Sequence, residues 1–310
     1  MKTLSVIVPC YNEEENVPLF YEELLKNEAF FAENDLTIEL IFVDDGSTDA
    51  TLTAIKQLRE RDERVRLISF SRNFGKEAAL YAGLVKAQGD YMVFMDVDLQ
   101  DPPALLPEMF ACLAEGYDAV ATRRVSRKGE PAIRSFFARR FYRLMRKIAH
   151  TEIVDGARDY RLITRQVAEA ILAMPEYNRF TKGIFGWVGF RTKWLEYENI
   201  ERRRGETKWS FWGLLAYSLE GITAFSTLPL RLSSVMGLFF CLVAFFFLVV
   251  IVVRALLFGD PTSGWPSLAS IILLVSGIQL FCIGIMGEYM AKTYMEVKNR
   301  PLYIIKEETD

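Results

Sequence analysis

Apolar and polar positions along the first 120 residues fall into two alternating periods. Residues 4–8 form a short, mostly branched apolar run, the pattern of a buried strand. Residues 14–26 change to helical spacing, with Val17, Phe20, Tyr21, Leu24 and Leu25 on one side. The exchange then repeats. Strands are predicted at 37–43, 65–70 and 91–95, helices at 51–61, 76–87 and 104–114, and an extended run at 119–122. Ser47 or Asp49 is suited to cap the helix that starts at 51. Strands alternating with helices predict an α/β domain with a mainly parallel sheet.

The pattern changes character towards the C-terminus. Residues 232–253 and 266–287 carry no charge. As a helix the first run would be about 33 Å long, which matches a hydrocarbon core of about 30 Å. A buried hairpin in a large soluble core is the alternative, but charge-free runs of this length are rare in soluble folds. Arg231 precedes the first run, and Lys292, Lys298 and Arg300 follow the second. The link at 259–266 carries Asp260 and Trp265 and no Lys or Arg, while Arg254 closes the first run. This charge bias predicts two spans with both termini cytosolic.

Two further segments fit a membrane surface. Residues 131–149 read as an amphipathic helix, with Ile133, Phe137, Phe141, Leu144 and Ile148 on one side and Arg134, Arg139, Arg140, Arg143, Arg146 and Lys147 around the rest. A core helix with a solvated face is the competing reading. Residues 209–226 are apolar and aromatic with a single acid, Glu220. The expected organisation is an α/β domain at 1–208, a juxtamembrane segment at 209–230, a transmembrane hairpin at 231–290 and a cytosolic tail at 291–310.

Composition narrows the chemistry. A formal net charge of −3 gives no sign of nucleic-acid binding. The four cysteines, Cys10, Cys112, Cys241 and Cys282, show no paired spacing, which fits a reducing compartment without a zinc site. One histidine, His150, leaves little room for Ser-His-Asp chemistry. No GxGxxG follows the first strand, and there is no GxxxxGK[ST].

Polar clusters follow each predicted strand: Tyr11, Asn12 and Glu13; Asp44 and Asp45; Ser71, Arg72 and Asn73; Asp96 and Asp98. In open parallel sheets ligands bind at this edge. Asp96 and Asp98 are spaced to share one hard cation, Mg²⁺ or Mn²⁺, and to offset the charge of a diphosphate. A solvated loop is the plain alternative. The 44–49 segment, DDGSTD, suits a base and ribose, or equally a turn and a helix cap.

Taken together, SVIVPCYNEEENV (5–17), DDGSTD (44–49), SRNFGKEAAL (71–80), MDVDLQDPP (95–103) and RRRGETKWS (202–210) resemble the inverting family-two glycosyltransferases of GT-A fold. More narrowly, they resemble the polyprenyl-phosphate glycosyltransferases, such as the bactoprenol glucosyltransferase and dolichol-phosphate mannosyltransferase group. The resemblance spans essentially the whole chain. It implies a Rossmann-like catalytic domain with interfacial helices and two C-terminal transmembrane helices. It places Pro9, Tyr11, Asn12, Glu13, Asp44 or Asp45, Arg72, Asn73, Lys76, Asp96 and Val97 at the nucleotide sugar, and Asp96 and Asp98 at a metal. Asp159 would stand near the reaction centre, with Arg204 and Lys208 near the donor and acceptor phosphates. For Asp159, a salt bridge to Arg158 or Arg161 is the structural alternative.

Thr207 and Trp209 depart from the family pattern, which has Ser and Tyr or Phe there. The resemblance also implies a nucleotide-sugar donor, with UDP-glucose favoured, and a polyprenyl phosphate acceptor at a bacterial membrane. A processive polysaccharide synthase is the nearest rival, but no QxxRW motif is present. A nucleotidyltransferase or a non-catalytic scaffold are the others. The run at 299–307 is expected to pair with the edge of a neighbouring copy in a homo-oligomer, for example a tetramer.

Overall fold

The computed structural model describes residues 1–124, 154, 156–197, 223, 226–258 and 264–309. The expected amphipathic helix at 131–149, Arg204, Lys208, most of the juxtamembrane segment and most of the inter-span link lie outside these residues. The chain divides into two compact units, Met1–Gly221 with Arg300–Asp310, and Ile222–Asn299.

The first unit is built on an 8-stranded sheet of order β7-β5-β6-β4-β1-β2-β3-β8. Its strands are β1 (Lys2–Cys10), β2 (Leu36–Asp44), β3 (Val65–Phe70), β4 (Tyr91–Phe94), β5 (Ala119–Arg124), β6 (Ala157–Thr164), β7 (Thr192–Tyr197) and β8 (Ile305–Glu308). The helices are α1 (Asn16–Leu25), α2 (Glu28–Glu33), α3 (Thr51–Arg61), α4 (Lys76–Lys86), α5 (Leu106–Ala114), α6 (Arg165–Leu172) and α7 (Thr181–Trp187).

β1 pairs in parallel with β2 and β4, and β2 with β3. The carboxyl ends of these four strands therefore share one edge. The rest of the sheet is mixed: β6 runs antiparallel to β4 and β5, and β5 is parallel to β7. Branched residues on the central strands are buried on both faces, among them Leu4, Val6, Ile7, Val8, Leu40, Ile41, Phe42 and Val43. This is the signature of a sheet covered by helices on both sides. α1 contributes Val17, Phe20 and Leu24 to the core. α4 lies so close to β1 that a Cβ on Gly83 would come within 2.3 Å of Ile7 Cγ2. Glycine there lets the helix settle on the sheet and brings its first residue, Lys76, to the strand-end edge.

The 299–307 run does hold a strand: β8 pairs antiparallel with the chain's own β3. The physical reason is proximity: β3 offers an unpaired edge, and a segment of the same chain reaches it without the entropy cost of association. Tyr303 stacks on Phe70 with ring centroids 5.0 Å apart. Ser71 N–H donates to Ile304 O at 2.9 Å, and Leu67 N–H donates to Thr309 Oγ1 at 2.8 Å. Lys56–Glu307 at 2.7 Å and Lys86–Glu308 at 2.6 Å add ion pairs.

The second unit holds α8 (Leu228–Phe258, 31 residues) and α9 (Trp265–Val297, 33 residues). Stretches of 24 residues in each, Leu228–Ile251 and Leu274–Val297, are long and apolar enough to cross a membrane, and neither is buried within the protein. At 1.5 Å per residue both helices exceed a hydrocarbon core of about 30 Å. Tyr289 OH donates to Ser226 O at 2.5 Å, tying α9 to the approach of α8.

Candidate active site

Three loops at the carboxyl ends of β1, β2 and β3 are laced together by short polar side chains. Asn12 takes a left-handed backbone, φ 55°, which asparagine tolerates well. Its N–H donates to Ser47 Oγ at 3.0 Å, and its Oδ1 accepts from Thr48 N–H at 2.9 Å. Glu13 N–H donates to Thr51 Oγ1 at 2.8 Å. Of the two expected caps for α3, Asp49 does the capping, accepting from Thr51 N–H at 3.0 Å. Ser47 serves the β1 loop instead.

Asp44 and Asp45 are 1% and 3% exposed. Asp44 accepts from Ser69 Oγ at 2.8 Å and Ser47 N–H at 3.1 Å. Asp45 accepts from Phe74 N–H at 2.6 Å and Gly75 N–H at 2.9 Å, so it holds the loop that leads into α4. Burial pushes the Asp45 carboxyl up, and those two N–H groups oppose the shift. Both carboxylates are therefore bound into the fold, and a nucleotide has only their remaining lone pairs to use.

Gly46, at φ 66°, sits where a Cβ would be 2.4 Å from the backbone carbon of Arg72. Gly46→Ala is expected to lose at least about 2 kcal/mol, since the left-handed strain and the backbone clash cannot both relax. A thermal melt within a degree of the parent would contradict this.

Other predicted nucleotide residues ring these loops. Pro9 lies in the ladder opposite Val43. Tyr11 is exposed. Arg72 is also exposed, with its guanidinium 4.0 Å from the Phe74 ring centroid, and Asn73 is exposed beside it. Val97 points into the core, so only its backbone faces outward.

The charged centre is assembled by strand register. β4 and β6 pair Phe94 with Arg161, and running that register on brings Asp96 opposite Asp159. Lys76, from the start of α4, closes the gap. Its Nζ is 2.6 Å from Asp96 Oδ1 and 2.5 Å from Asp159 Oδ2. Lys182, on α7, stands 3.7 Å from Asp159 Oδ1. Burial opposes ionisation of Asp159, but Lys182 and Lys76 outweigh it and hold its carboxyl well below the usual carboxylate range.

Neither sequence neighbour of Asp159 pairs with it. Arg158 instead binds Asp101 Oδ1 at 2.9 Å and Gln100 Oε1 at 3.1 Å, and Tyr197 OH also donates to Asp101. Arg161 is buried between the rings of Phe185 and Trp194, at 4.4 and 5.0 Å from the centroids, and burial brings its pKa down to about 10. The Asp101–Arg158 bond fastens the loop carrying Asp96 and Asp98 to the strand carrying Asp159. Within that loop Asp98 Oδ1 accepts from Gln100 N–H at 3.1 Å, and Leu99 takes a left-handed backbone, φ 57°. That conformation is costly for a leucine and marks the loop as held by its surroundings.

Residues 5–172 match the family described as Glycosyl transferase family 2. The chain belongs to this family. The transferase is 43% identical over 303 residues to the prophage bactoprenol glucosyl transferase homolog of Escherichia coli (strain K12), covering 98% of each chain. It is 42% identical to the SfII prophage-derived bactoprenol glucosyl transferase of Shigella flexneri, covering 98% of this chain and 97% of that one. Among solved structures, mannosyl-3-phosphoglycerate synthase from Rubrobacter xylanophilus superposes with a TM-score of 0.50 at 18% identity, covering 72% of each chain. That likeness concerns the fold, which is GT-A as the sequence motifs imply.

The transferase thus brings together Lys76, Asp96 and Asp159 from three distant motifs. Arg204 and Lys208 lie outside the described residues. Sequence reasoning missed Lys182, Arg158 and Asp101 as members of the site. Lys182 did carry a signal: it stands in the first turn of a helix, where a cation opposes the helix dipole, so local energetics do not explain it.

Proposed function

We propose that this family-2 transferase moves glucose from UDP-glucose onto a polyprenyl phosphate such as undecaprenyl phosphate, inverting the anomeric carbon. The observation that carries the reading is the Lys76–Asp96–Asp159–Lys182 array at the strand-end edge. It occurs in a chain similar over 98% of its length to bactoprenol glucosyl transferases.

A lipid monophosphate, with a second pKa of about 6, is already a dianion near neutrality and needs no strong base. Its oxygen attacks C1 in line, the C1–O bond to the diphosphate breaks, and UDP departs with the electron pair. The difficulty is electrostatic, since two anions must meet at close range. Lys76 and Lys182 lower that barrier, and Arg204 and Lys208 are assigned to the donor and acceptor phosphates. Asp159, ion-paired on both oxygens, orients these ammonium groups and is poorly placed to collect a proton.

Asp96 and Asp98 offer two hard oxygen donors. Among the described residues, no group of three or more His, Cys, Asp or Glu side chains converges. The pair therefore fits an ion, Mg²⁺ or Mn²⁺, that shares its shell with a diphosphate and water. When bound, such an ion offsets the charge of the leaving diphosphate.

α8 and α9 are proposed to cross the cytoplasmic membrane of a bacterium, with the catalytic domain and both termini in the cytosol. β8 follows the helices in sequence yet shares a sheet with strands that precede them. A bilayer crossed by the first helix must then be recrossed by the second.

The deciding experiment incubates the purified full chain with a panel of nucleotide sugars and undecaprenyl phosphate, with and without EDTA, and weighs the lipids. A hexosyl lipid phosphate formed from UDP-glucose and abolished by EDTA is expected. Protein that consumes no donor in the panel overturns the reading.

The pH dependence follows from Asp159. Its folded-state pKa lies below the unfolded one. Its stabilising contribution is thus complete above the unfolded value of about 4 and is lost only as pH falls through the folded value. Between about pH 5 and 8 it is expected to contribute no limb to the rate profile, and a limb near 6 belongs to the acceptor phosphate. An aspartate carbon resonance that titrates above pH 5 and is missing from Asp159→Asn would contradict this.

A further inference from the structure

We infer that Lys76 occupies the place of the dication in the resting site and makes cation binding depend on the diphosphate that arrives with it. The inference rests on the reading of Asp96 and Asp98 as cation ligands.

Lys76 Nζ already sits 2.6 Å from Asp96 Oδ1, the oxygen a dication would need. Metal–oxygen bonds of about 2.0–2.2 Å leave no room for an ammonium on the same lone pairs. A dication landing beside a fixed ammonium would also meet strong repulsion across a few ångströms of partly desolvated cleft. Asp96 and Asp159 face Lys76 and Lys182, with half-buried Glu77 and buried Arg161 nearby adding one charge of each sign. With the second ligand, Asp98, counted, these groups carry a small net negative charge. A bare dication reverses its sign, whereas a dication carried by a diphosphate leaves it almost unchanged.

The structure provides a way for Lys76 to leave. Its side chain is 42% exposed, and its four-carbon stem is flexible. It holds Asp159 Oδ2 at the same time as Asp96, so it can release one carboxylate while keeping the other. Lys182 keeps Asp159 Oδ1 neutralised throughout. Released from Asp96, the ammonium turns towards the incoming diphosphate. Cation and nucleotide thus enter as one unit, and Lys76 changes partner from carboxylate to phosphate.

The test measures Mn²⁺ binding by electron paramagnetic resonance, with Mn²⁺ alone and with Mn²⁺ plus UDP, and needs no turnover. Wild-type protein is expected to bind Mn²⁺ weakly alone and at least about tenfold more tightly with UDP. Lys76→Met is expected to bind Mn²⁺ alone about tenfold or more tightly than wild type, and to lose most of the enhancement by UDP. Lys76→Arg keeps the charge and is expected to behave as wild type, and matching thermal melts exclude misfolding as the cause. Equal affinity of wild type and Lys76→Met for Mn²⁺ alone overturns the inference while leaving the cation reading intact. Mn²⁺ that fails to bind wild type even with UDP removes both.

Discussion

Asp98→Asn is expected to lower transfer at saturating donor by about 10²–10³-fold while leaving the melting temperature within a few degrees of wild type. The substitution is nearly isosteric, and the new amide oxygen can still accept from Gln100 N–H, the contact Asp98 Oδ1 makes at 3.1 Å. The loop should therefore keep its shape and lose only the charge. Asp96 is shared with Lys76, so its removal would disturb two functions at once, which makes Asp98 the better position for this test. The loss should appear chiefly in kcat, since the ion's effect grows as charge develops on the departing diphosphate. The concentration of Mn²⁺ giving half-maximal activity should rise in parallel. A variant that retains kcat within about threefold of wild type, at an unchanged Mn²⁺ requirement, would remove Asp98 from the chemistry.

Deleting residues 301–310 is expected to destabilise the catalytic domain by roughly 4–6 kcal/mol, a large share of the about 5–15 kcal/mol that holds a typical domain together. The loss collects the β3–β8 ladder, the Ser71–Ile304 and Leu67–Thr309 hydrogen bonds at about 1 kcal/mol each, and the Tyr303–Phe70 stack at about 0.5–1.5 kcal/mol. The Lys56–Glu307 and Lys86–Glu308 pairs are too exposed to add much. The midpoint of thermal unfolding should fall by about 10–20 °C. Tyr303→Ala should cost a fraction of that. The Phe70 end of β3 leads into the loop whose Phe74 and Gly75 N–H groups hold Asp45, so nucleotide affinity should weaken before the domain melts. An unchanged midpoint in the shortened protein would show that β8 contributes nothing to the sheet.

Local periodicity carried much of the first half of the fold. The helix at 51–61 and the strand at 65–70 have the bounds their patterns predict, because each is read from a face of regularly spaced apolar residues. Long-range pairing was not legible in this way. The segment RDYRL reads as a polar motif with alternating charge, yet it is a central strand, and its antiparallel register with β4 is what sets Asp159 against Asp96. No local signal encodes register between segments this far apart in sequence.

The same limit explains the partners of the charged groups. Asp159 has arginines on each side of it in sequence, at 158 and 161, but a strand sends adjacent side chains to opposite faces, so Arg158 meets Asp101 instead. Lys76 and Lys182 reach Asp159 from two helices. The DDGSTD aspartates were recognisable as important, and what tertiary structure added is that both are buried and tie neighbouring loops together.

The late position of β8 in the chain has a consequence for synthesis. β3 leaves the ribosome some 230 residues before its outer neighbour exists, an interval of roughly 10–50 s at about 5–20 residues per second. Throughout that time the growing protein presents a bare strand edge, the kind of template that other unfinished chains can join. Completion of this enzyme's scaffold is therefore tied to translation of residues 305–308. A ribosome that stalls in the second long helix leaves a nascent catalytic domain open at one side, vulnerable to proteases and to its own neighbours on the same message.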